Sequence, residues 1–182
     1  MLSSKPLALM AAALALMAVP ASAKNPMVGG AAMYPTKNIV QNAINSKDHT
    51  TLVAAVKAAG LVETLSGKGP FTVFAPTNAA FAKLPAGTVE TLVMPANKGT
   101  LTNILTYHVV PGRVTAAQIT SMAARHKGVA TLKTVQGENL RFRKRGSSLI
   151  ITDAKGGTAR ITIANVMQSN GVIHVIDTVL MP

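Results

Sequence analysis

The stretch FTVFAPTNAAF, Phe71 to Phe81, decides the fold because its residue pattern changes from that of a strand to that of a helix. Phe71 to Ala75 is β-prone and apolar at alternate sites, which predicts a buried strand. Pro76 ends the strand, and the side chain of Thr77 can accept hydrogen bonds from the free N–H groups of a helix that follows. We therefore predict a strand-to-helix joint, with both elements packed in one domain.

Helical spacing precedes this joint. After Thr36, a good helix-capping residue, apolar residues recur at helical intervals, which predicts a short helix ending near Ser46. A second helix is predicted from about Asp48, and Gly60 stands where a left-handed residue would end it. Residues 61–66 predict one more helical turn before the strand.

Two further helices are predicted downstream, from about Gly99 to Tyr107 and from Thr115 through Met122. After Gly128 the pattern becomes that of strands separated by turn residues. The five β-like runs are VATLKTV, ENLRFRKRG, SSLIITD, TARITIANV and NGVIHVIDTVLMP. Helices come first and strands second, which is typical of an α+β domain.

Length and composition limit the class of protein. A chain of 182 residues, 48% of them hydrophobic and 13% charged, is expected to build one packed core. Its net charge of +12 excludes an acidic cation-storing protein and favours polyanionic neighbours. Because there is no cysteine, disulfides, thiolate metal sites, thiol nucleophiles and a lipid anchor on an N-terminal Cys are excluded.

Residues 1–23 have the pattern of a secretory signal peptide. Lys5 supplies a positive start, Leu7 to Val19 is a run of 13 apolar residues, and Ala21-Ser22-Ala23 is an A-x-A cleavage site. An apolar helix of that length reaches roughly 20 Å, which is short of the ~30 Å hydrocarbon core of a bilayer. We predict cleavage after Ala23, no transmembrane segment in the product, and a periplasmic or extracellular location.

The segment from Lys24 to Pro35 has two prolines, two glycines and no periodicity. This composition predicts a flexible leader on the surface. The folded domain is then expected to span residues 36–182.

The residues that carry enzyme chemistry are sparse. No two of the histidines, His49, His108, His126 and His174, lie three or four residues apart, and there is no HExxH motif. No GxSxG motif occurs, and the six acidic residues form no local pair. The sequence therefore predicts no catalytic residue, no metal site and no cofactor.

Positive charge is concentrated in the β half of the chain. Between Arg113 and Arg160 there are ten Lys or Arg residues and two acidic ones. In ENLRFRKRG, Leu140, Phe142 and Lys144 would share one face of a strand while the other would carry Arg141, Arg143 and Arg145. Guanidinium groups suit carboxylate, sulfate and phosphate, so this face is a candidate site for an anionic partner. The alternative is a solvated face that protects the sheet from edge pairing.

Two segments together resemble the fasciclin I domain. The first is LVAAVKAAGLVETLSGKGPFTVFAPTNAAFAKLP, followed by YHVVPG, and the second is NGVIHVIDTVLMP at the end of the chain. The resemblance covers Thr51 to Pro182 and implies a wedge-shaped β-sandwich with a cluster of helices on one side. Where an Asp is common in the family, a few residues before the Asn-Gly turn, this chain has Asn165.

Tyr107 and His108 in YHVVPG have two interpretations, one implied by the resemblance and one by their own chemistry. In animal relatives this region is implicated in recognition of cell-surface receptors, which makes the pair a candidate binding site. The alternative is structural: a tyrosine at a helix end and a histidine whose nitrogens satisfy backbone groups. The same two interpretations apply to His174, as a binding residue or as a histidine of the core or sheet face.

The expected function is that of an exported, non-enzymatic interaction module in cell-surface or matrix adhesion. Arg141, Arg143, Lys144 and Arg145 are expected to contact anionic polysaccharide, other envelope components or surface proteins. Nucleic acid is not the expected partner, because export removes the usual target and few aromatic residues interleave the basic strand. Weak self-association would supply valency. The alternative is a periplasmic binding protein for a small molecule or soluble glycan, with a pocket between helices and sheet.

Overall fold

The computed structural model describes residues 24–182. The predicted signal peptide, with its cleavage site after Ala23, lies outside the described residues. The described part combines helices with an antiparallel and parallel sheet, so the predicted α+β class is confirmed.

The described residues form seven α-helices and nine strands. The helices are α1 Ile39–Ala43, α2 Thr50–Ala59, α3 Val62–Ser66, α4 Asn78–Ala82, α5 Thr88–Leu92, α6 Lys98–Tyr107 and α7 Ala116–Arg125, with 3-10 turns at Lys47–His49 and Pro95–Asn97. The strands are β1 Met27–Val28, β2 Ala31–Ala32, β3 Phe71–Pro76, β4 Val109–Pro111, β5 Val129–Lys133, β6 Asn139–Arg145, β7 Ser148–Thr152, β8 Thr158–Gln168 and β9 Gly171–Ile176.

Seven strands form one sheet in the order β4-β3-β9-β8-β7-β6-β5. The pair β3 and β9 is parallel, and the other neighbours are antiparallel. The sheet curls until its two ends meet, where the N–H of Val135 donates to the carbonyl of Val109 at 2.8 Å. The sheet is therefore nearly closed, and it has an interior and an outer face.

Each face of the central strands packs against a separate core. Val73 and Ala75 of β3 and Val175 of β9 point to the helices and belong to a helix-side core. Phe74 points to the interior, where its ring lies 5.2 Å from that of Phe142. The helices before β4 cover the β3–β9 end, and α7 packs through Ile119 and Ala123 on the interior side of β5 and β6. The outer face of β5, β6 and β7 therefore stays open to solvent.

The strand-to-helix joint forms as predicted. The N–H of Ala80 donates to the side chain of Thr77 at 3.1 Å, so Thr77 caps α4. Gly60 ends α2 with a φ of 71°, the left-handed conformation expected there. These local predictions succeed because each depends on residues a few positions apart.

Two helices differ from expectation. The first helix begins after Asn38 and not at Thr36, because Asn38 and Gln41 exchange the side-chain and backbone hydrogen bonds of a capping box. Helix α5 was not predicted: none of its residues is buried, so its apolar pattern is weak. The other helices and the five late strands occur where expected.

The predicted flexible leader is also packed differently. Strands β1 and β2 form a short hairpin within residues 24–35, and both Val28 and Met33 are buried in the helix-side core. The backbone N–H and carbonyl of Tyr34 both bond to the side chain of Asn42, at 3.1 and 2.8 Å. The prediction of a loose surface segment was therefore wrong for this stretch, because its two apolar side chains fill space over the core.

Removal of the cap of α7 gives a small, measurable loss of stability. Thr115 accepts from the N–H of Gln118 at 3.3 Å, and Gln118 in turn accepts from the N–H of Thr115 at 2.8 Å. We expect Thr115→Ala to lower the free energy of unfolding by about 1 kcal/mol in urea titration. Ser121→Ala, an exposed substitution on the same helix, is the matched control, and equal losses in both variants would contradict the capping role.

Candidate functional site

The strand register gathers positive side chains on the outer face of β5 to β8. Arg141 lies beside Thr131 and Thr152, and Arg143 lies beside Ile150, which is itself paired with Arg160. Side chains two residues apart on a strand share a face, so Lys133 and Arg145 belong to the same surface. We call this surface the basic face; its charged members are Lys133, Arg141, Arg143, Arg145 and Arg160.

Alternation along β6 explains why the arginines point outward. Leu140 and Phe142 are fully buried in the interior core, and the residues between and after them are exposed. A flip of the strand would bury three guanidinium groups and expose both apolar side chains, which would cost far more than it gains. The predicted orientation of Arg141, Arg143 and Arg145 is confirmed by this burial pattern.

The basic face is almost without counter-charge. Among residues 24–182 the one ion pair joins Arg160 Nε to Asp177 Oδ2 at 3.7 Å, and the same carboxylate accepts from the backbone N–H of Arg160 at 2.8 Å. Arg141, Arg143 and Arg145 have no carboxylate within ion-pair distance in the described part of the chain. Their guanidinium groups are therefore available to an external anion.

Lys144 is exposed but does not belong to the basic face. It pairs with Leu149 on the side of β6 that carries Leu140 and Phe142, as the alternation predicted. Lys133 and Arg160, by contrast, were absent from the predicted site residues. Only the register of β5 and β8 against β6 and β7 brings them beside the three arginines.

Tyr107 is fully buried at the end of α6. Its hydroxyl accepts from the N–H of Ala154 at 2.8 Å and donates to the carbonyl of Asn139 at 3.4 Å. Burial raises the pKa of the phenol above its ordinary value, while the bond from Ala154 acts in the opposite direction. The side chain thus joins α6 to the turns beside β6 and β7.

His108 is buried beneath the C-terminal segment and both its nitrogens are occupied. Nδ1 lies 2.8 Å from the carbonyl of Ile104, and Nε2 lies 3.0 Å from the N–H of Leu180. Since Leu180 donates, Nε2 is the acceptor and Nδ1 carries the proton. Burial lowers the pKa of His108 to about 4, so the ring is neutral at pH 7. The geometry of Tyr107 and His108 corresponds to the structural alternative.

The other two buried histidines also serve the fold. His174 is fully buried, with Nε2 2.8 Å from the carbonyl of Val114 and Nδ1 accepting from the N–H of Asn165 at 3.2 Å. Burial lowers its pKa. His49 bonds through Nδ1 to the Ser46 hydroxyl at 2.9 Å, Nε2 has no partner among the described residues, and burial lowers its pKa as well.

Asn165 occupies the position where the family commonly has an aspartate. It lies in the second register shift of β8, between Ile163 and Val166, with a φ of 58°. Its side-chain oxygen accepts from the N–H of Ala116 at 2.8 Å. The amide therefore provides a neutral hydrogen-bond acceptor at the start of α7.

Asp153 is a buried residue that the sequence interpretation missed. Its Oδ1 accepts from the N–H groups of Lys155 and Gly157, at 3.1 and 2.7 Å, and its Oδ2 accepts from Met181 at 3.1 Å. The carboxylate thus fixes the β7–β8 turn against the end of the chain. An Asp shortly before Lys-Gly-Gly indicates a local turn, but no nearby residue predicts the hydrogen bond to Met181, which lies 28 residues away.

An apolar cleft opens between α1, α2 and α3 and the strands beneath them. It is lined by 15 residues, of which only Lys57 and His108 are not apolar, and its cavity volume is about 60 Å³. Exposed Ile44 and half-buried Val53 lie at its rim. Such a surface has no set of polar groups suited to a soluble glycan.

Among residues 24–182, no three metal-ligating side chains converge, and no helix is long and apolar enough to cross a membrane.

The seven-stranded, nearly closed sheet and the seven helices of the described residues place the protein in the class of mixed α+β domains. The chain belongs to the fasciclin domain family, whose model matches residues 47–182. Fasciclin domains are known as adhesion and interaction modules and are not enzymes. The expected family and the expected absence of enzymatic activity are both confirmed.

The relatives include bacterial proteins of comparable length. The chain is 50% identical to Protein sll1483 of Synechocystis over 87% of this chain and 81% of that one. It is 34% identical to the cell surface glycolipoprotein MPB83 of Mycobacterium bovis, over 88% of this chain and 62% of that one. MPB83 is, by its name, a protein of the cell surface.

A solved structure confirms the fold. The FAS1 domain pair of the insect cell adhesion molecule Fasciclin I superposes with a TM-score of 0.71 at 18% identity, covering 80% of this chain and 51% of the other.

Proposed function

We propose that this protein is an exported interaction module that binds anionic polymers of a cell surface or matrix through its basic face. The observation that carries the proposal is the set of three exposed, unpaired guanidinium groups of Arg141, Arg143 and Arg145 on one strand. Lys133 and Arg160 extend the same surface across neighbouring strands.

The spacing of these groups suits a linear polyanion. Alternate residues of a strand are about 7 Å apart, and Arg143 and Arg160 are separated by two strand spacings, or about 10 Å. A guanidinium group binds a carboxylate or sulfate through two parallel hydrogen bonds. Each contact is weak, but several contacts with the same polymer chain together give stable binding.

The composition of the basic face favours a glycan over a nucleic acid. Phe142, the one aromatic residue of β6, is fully buried in the interior core. Single-stranded nucleic acids are held largely by stacking of bases on aromatic side chains, and β6 offers none on its outer face. The predicted signal peptide and the similarity to the cell surface glycolipoprotein MPB83 favour an envelope or matrix polymer.

Retention on immobilised heparin, a sulfated polysaccharide, tests the proposal. We expect the triple variant Arg141/Arg143/Arg145→Ser to elute at clearly lower salt than the parent protein. The slope of log affinity against log salt should fall by about one for each lost contact, hence by up to about 3. Elution position and a salt titration of binding give the two measurements.

The matched control removes the same charge elsewhere. Lys24, Lys47 and Lys68 are exposed and lie outside the basic face, so Lys24/Lys47/Lys68→Ser has the same net charge as the arginine variant. If binding follows the basic face, this control keeps most of the parent's retention. If both triple variants elute together, retention reflects net charge alone and the proposal is wrong.

A further inference from the structure

The apolar cleft offers a ligand one free polar group. Of its two lining residues that are not apolar, His108 has both nitrogens bonded to backbone groups of the protein. Lys57, at the C-terminal turn of α2, is exposed, and no carboxylate of residues 24–182 lies within ion-pair distance of its ammonium group. The cleft therefore combines apolar walls with a single unpaired cation at its edge.

The inner part of the cleft is narrow. Its cavity volume is about 60 Å³, which corresponds to roughly two water molecules and is under half of the ~150 Å³ cavity that holds a benzene ring. A cavity of this size admits the end of a slim alkyl chain but not a ring, and the rest of the chain would lie along the apolar rim at Ile44 and Val53. The walls, including Val56, Leu65, Val73 and Leu105, can exclude water from such a chain.

We propose that this cleft binds the alkyl chain of an anionic amphiphile, such as a fatty acid, with its carboxylate at Lys57. The chain enters past Ile44 and Val53, which form an apolar rim of which Ile44 is 54% exposed. The carboxylate remains at the surface, where its charge needs only partial desolvation. This site is separate from the basic face and does not depend on the proposed polymer binding.

Calorimetry with octanoate, below its micelle concentration, tests the assignment. We expect saturable binding whose affinity rises about fourfold for each methylene that enters the cavity, and less steeply for methylenes that lie on the half-exposed rim. Octanol should bind more weakly than octanoate because it has no charge to pair with Lys57. Octylamine should bind more weakly still, because its ammonium group is repelled by Lys57. Cyclohexanecarboxylate should bind more weakly than hexanoate, since the inner cavity is too narrow for a ring.

Two variants separate charge from shape. Lys57→Met keeps the alkyl stem of the side chain but removes its charge, so it should weaken the binding of octanoate several-fold and leave the binding of octanol unchanged. The control is Lys47→Met, at an exposed residue outside the cleft. Val53→Phe narrows the rim and should weaken all chains, with urea titration used to check that the variant folds.

The absence of saturable octanoate binding, equal binding of octylamine, or equal effects of Lys57→Met and Lys47→Met would overturn the assignment. The Arg141/Arg143/Arg145→Ser variant should bind octanoate as the parent does, so this test and the heparin test fail independently.

Discussion

Replacement of Asp153 with alanine is expected to lower the free energy of unfolding by about 3 kcal/mol. The substitution removes a buried carboxylate and leaves the N–H groups of Lys155, Gly157 and Met181 without their acceptor. A buried polar group that loses its partner costs about 1–3 kcal/mol, and water can reach the turn residues more easily than Met181. Urea denaturation monitored by circular dichroism measures the loss.

Two further variants identify the cause of that loss of stability. Asp153→Asn keeps one acceptor oxygen but turns an amide N–H toward the backbone N–H groups. We therefore expect its free energy of unfolding to lie between that of the parent and that of the alanine variant. Glu90→Ala removes an exposed carboxylate from α5 and should change stability by less than about 0.5 kcal/mol. If Asp153→Ala were no more harmful than Glu90→Ala, the carboxylate would not fix the chain end.

The protein should also lose stability as the pH falls below about 6.5. His108 is neutral in the folded state, where its pKa is lowered to about 4, whereas the unfolded chain protonates it near the ordinary value of 6.5. The unfolded state therefore binds more protons between these values, so stability is full above pH 6.5 and is lost as pH falls to about 4. His108 alone contributes a loss of about 3 kcal/mol, and His49 and His174 act in the same direction.

Urea titrations at pH 7.5, 6.0, 5.0 and 4.5 measure this dependence. In His108→Asn the amide can still donate to the carbonyl of Ile104, but the titrating group is gone. This variant should be less stable than the parent at pH 7.5. Between pH 4 and 6.5, the slope of its free energy of unfolding against pH should be smaller than the parent's by about 1 kcal/mol per pH unit. An unchanged slope would show that another group causes the acid sensitivity.

Much of the fold could be predicted because its signals are local. The cap at Thr77, the end of α2 at Gly60 and the alternation of Leu140 with Arg141 each depend on neighbours in the chain. The same alternation correctly placed Arg141, Arg143 and Arg145 on one open face. The N-terminal hairpin was missed because its packing depends on Val28 and Met33 reaching a core built by later residues.

The candidate site was only partly predictable for the same reason. Arg160 joins the basic face through the pairing of β7 with β8, and no local pattern states that register. Tyr107 and His108 were candidates for binding from their sequence, yet the structure encloses them under the turn at Ala154 and the segment at Leu180. Burial of this kind is set by residues that lie 47 and 72 positions away.

By itself, the sequence determined the family, the helices and strands, and the direction of the β6 arginines, because caps, turns and alternation act over a few residues. Only the tertiary structure decided which charges gather on one surface, which histidines are enclosed, and that a cleft with one cation lies between the helices and the sheet. These features arise from strand register and packing between distant segments, where the free energy depends on many residues that meet only in the folded chain.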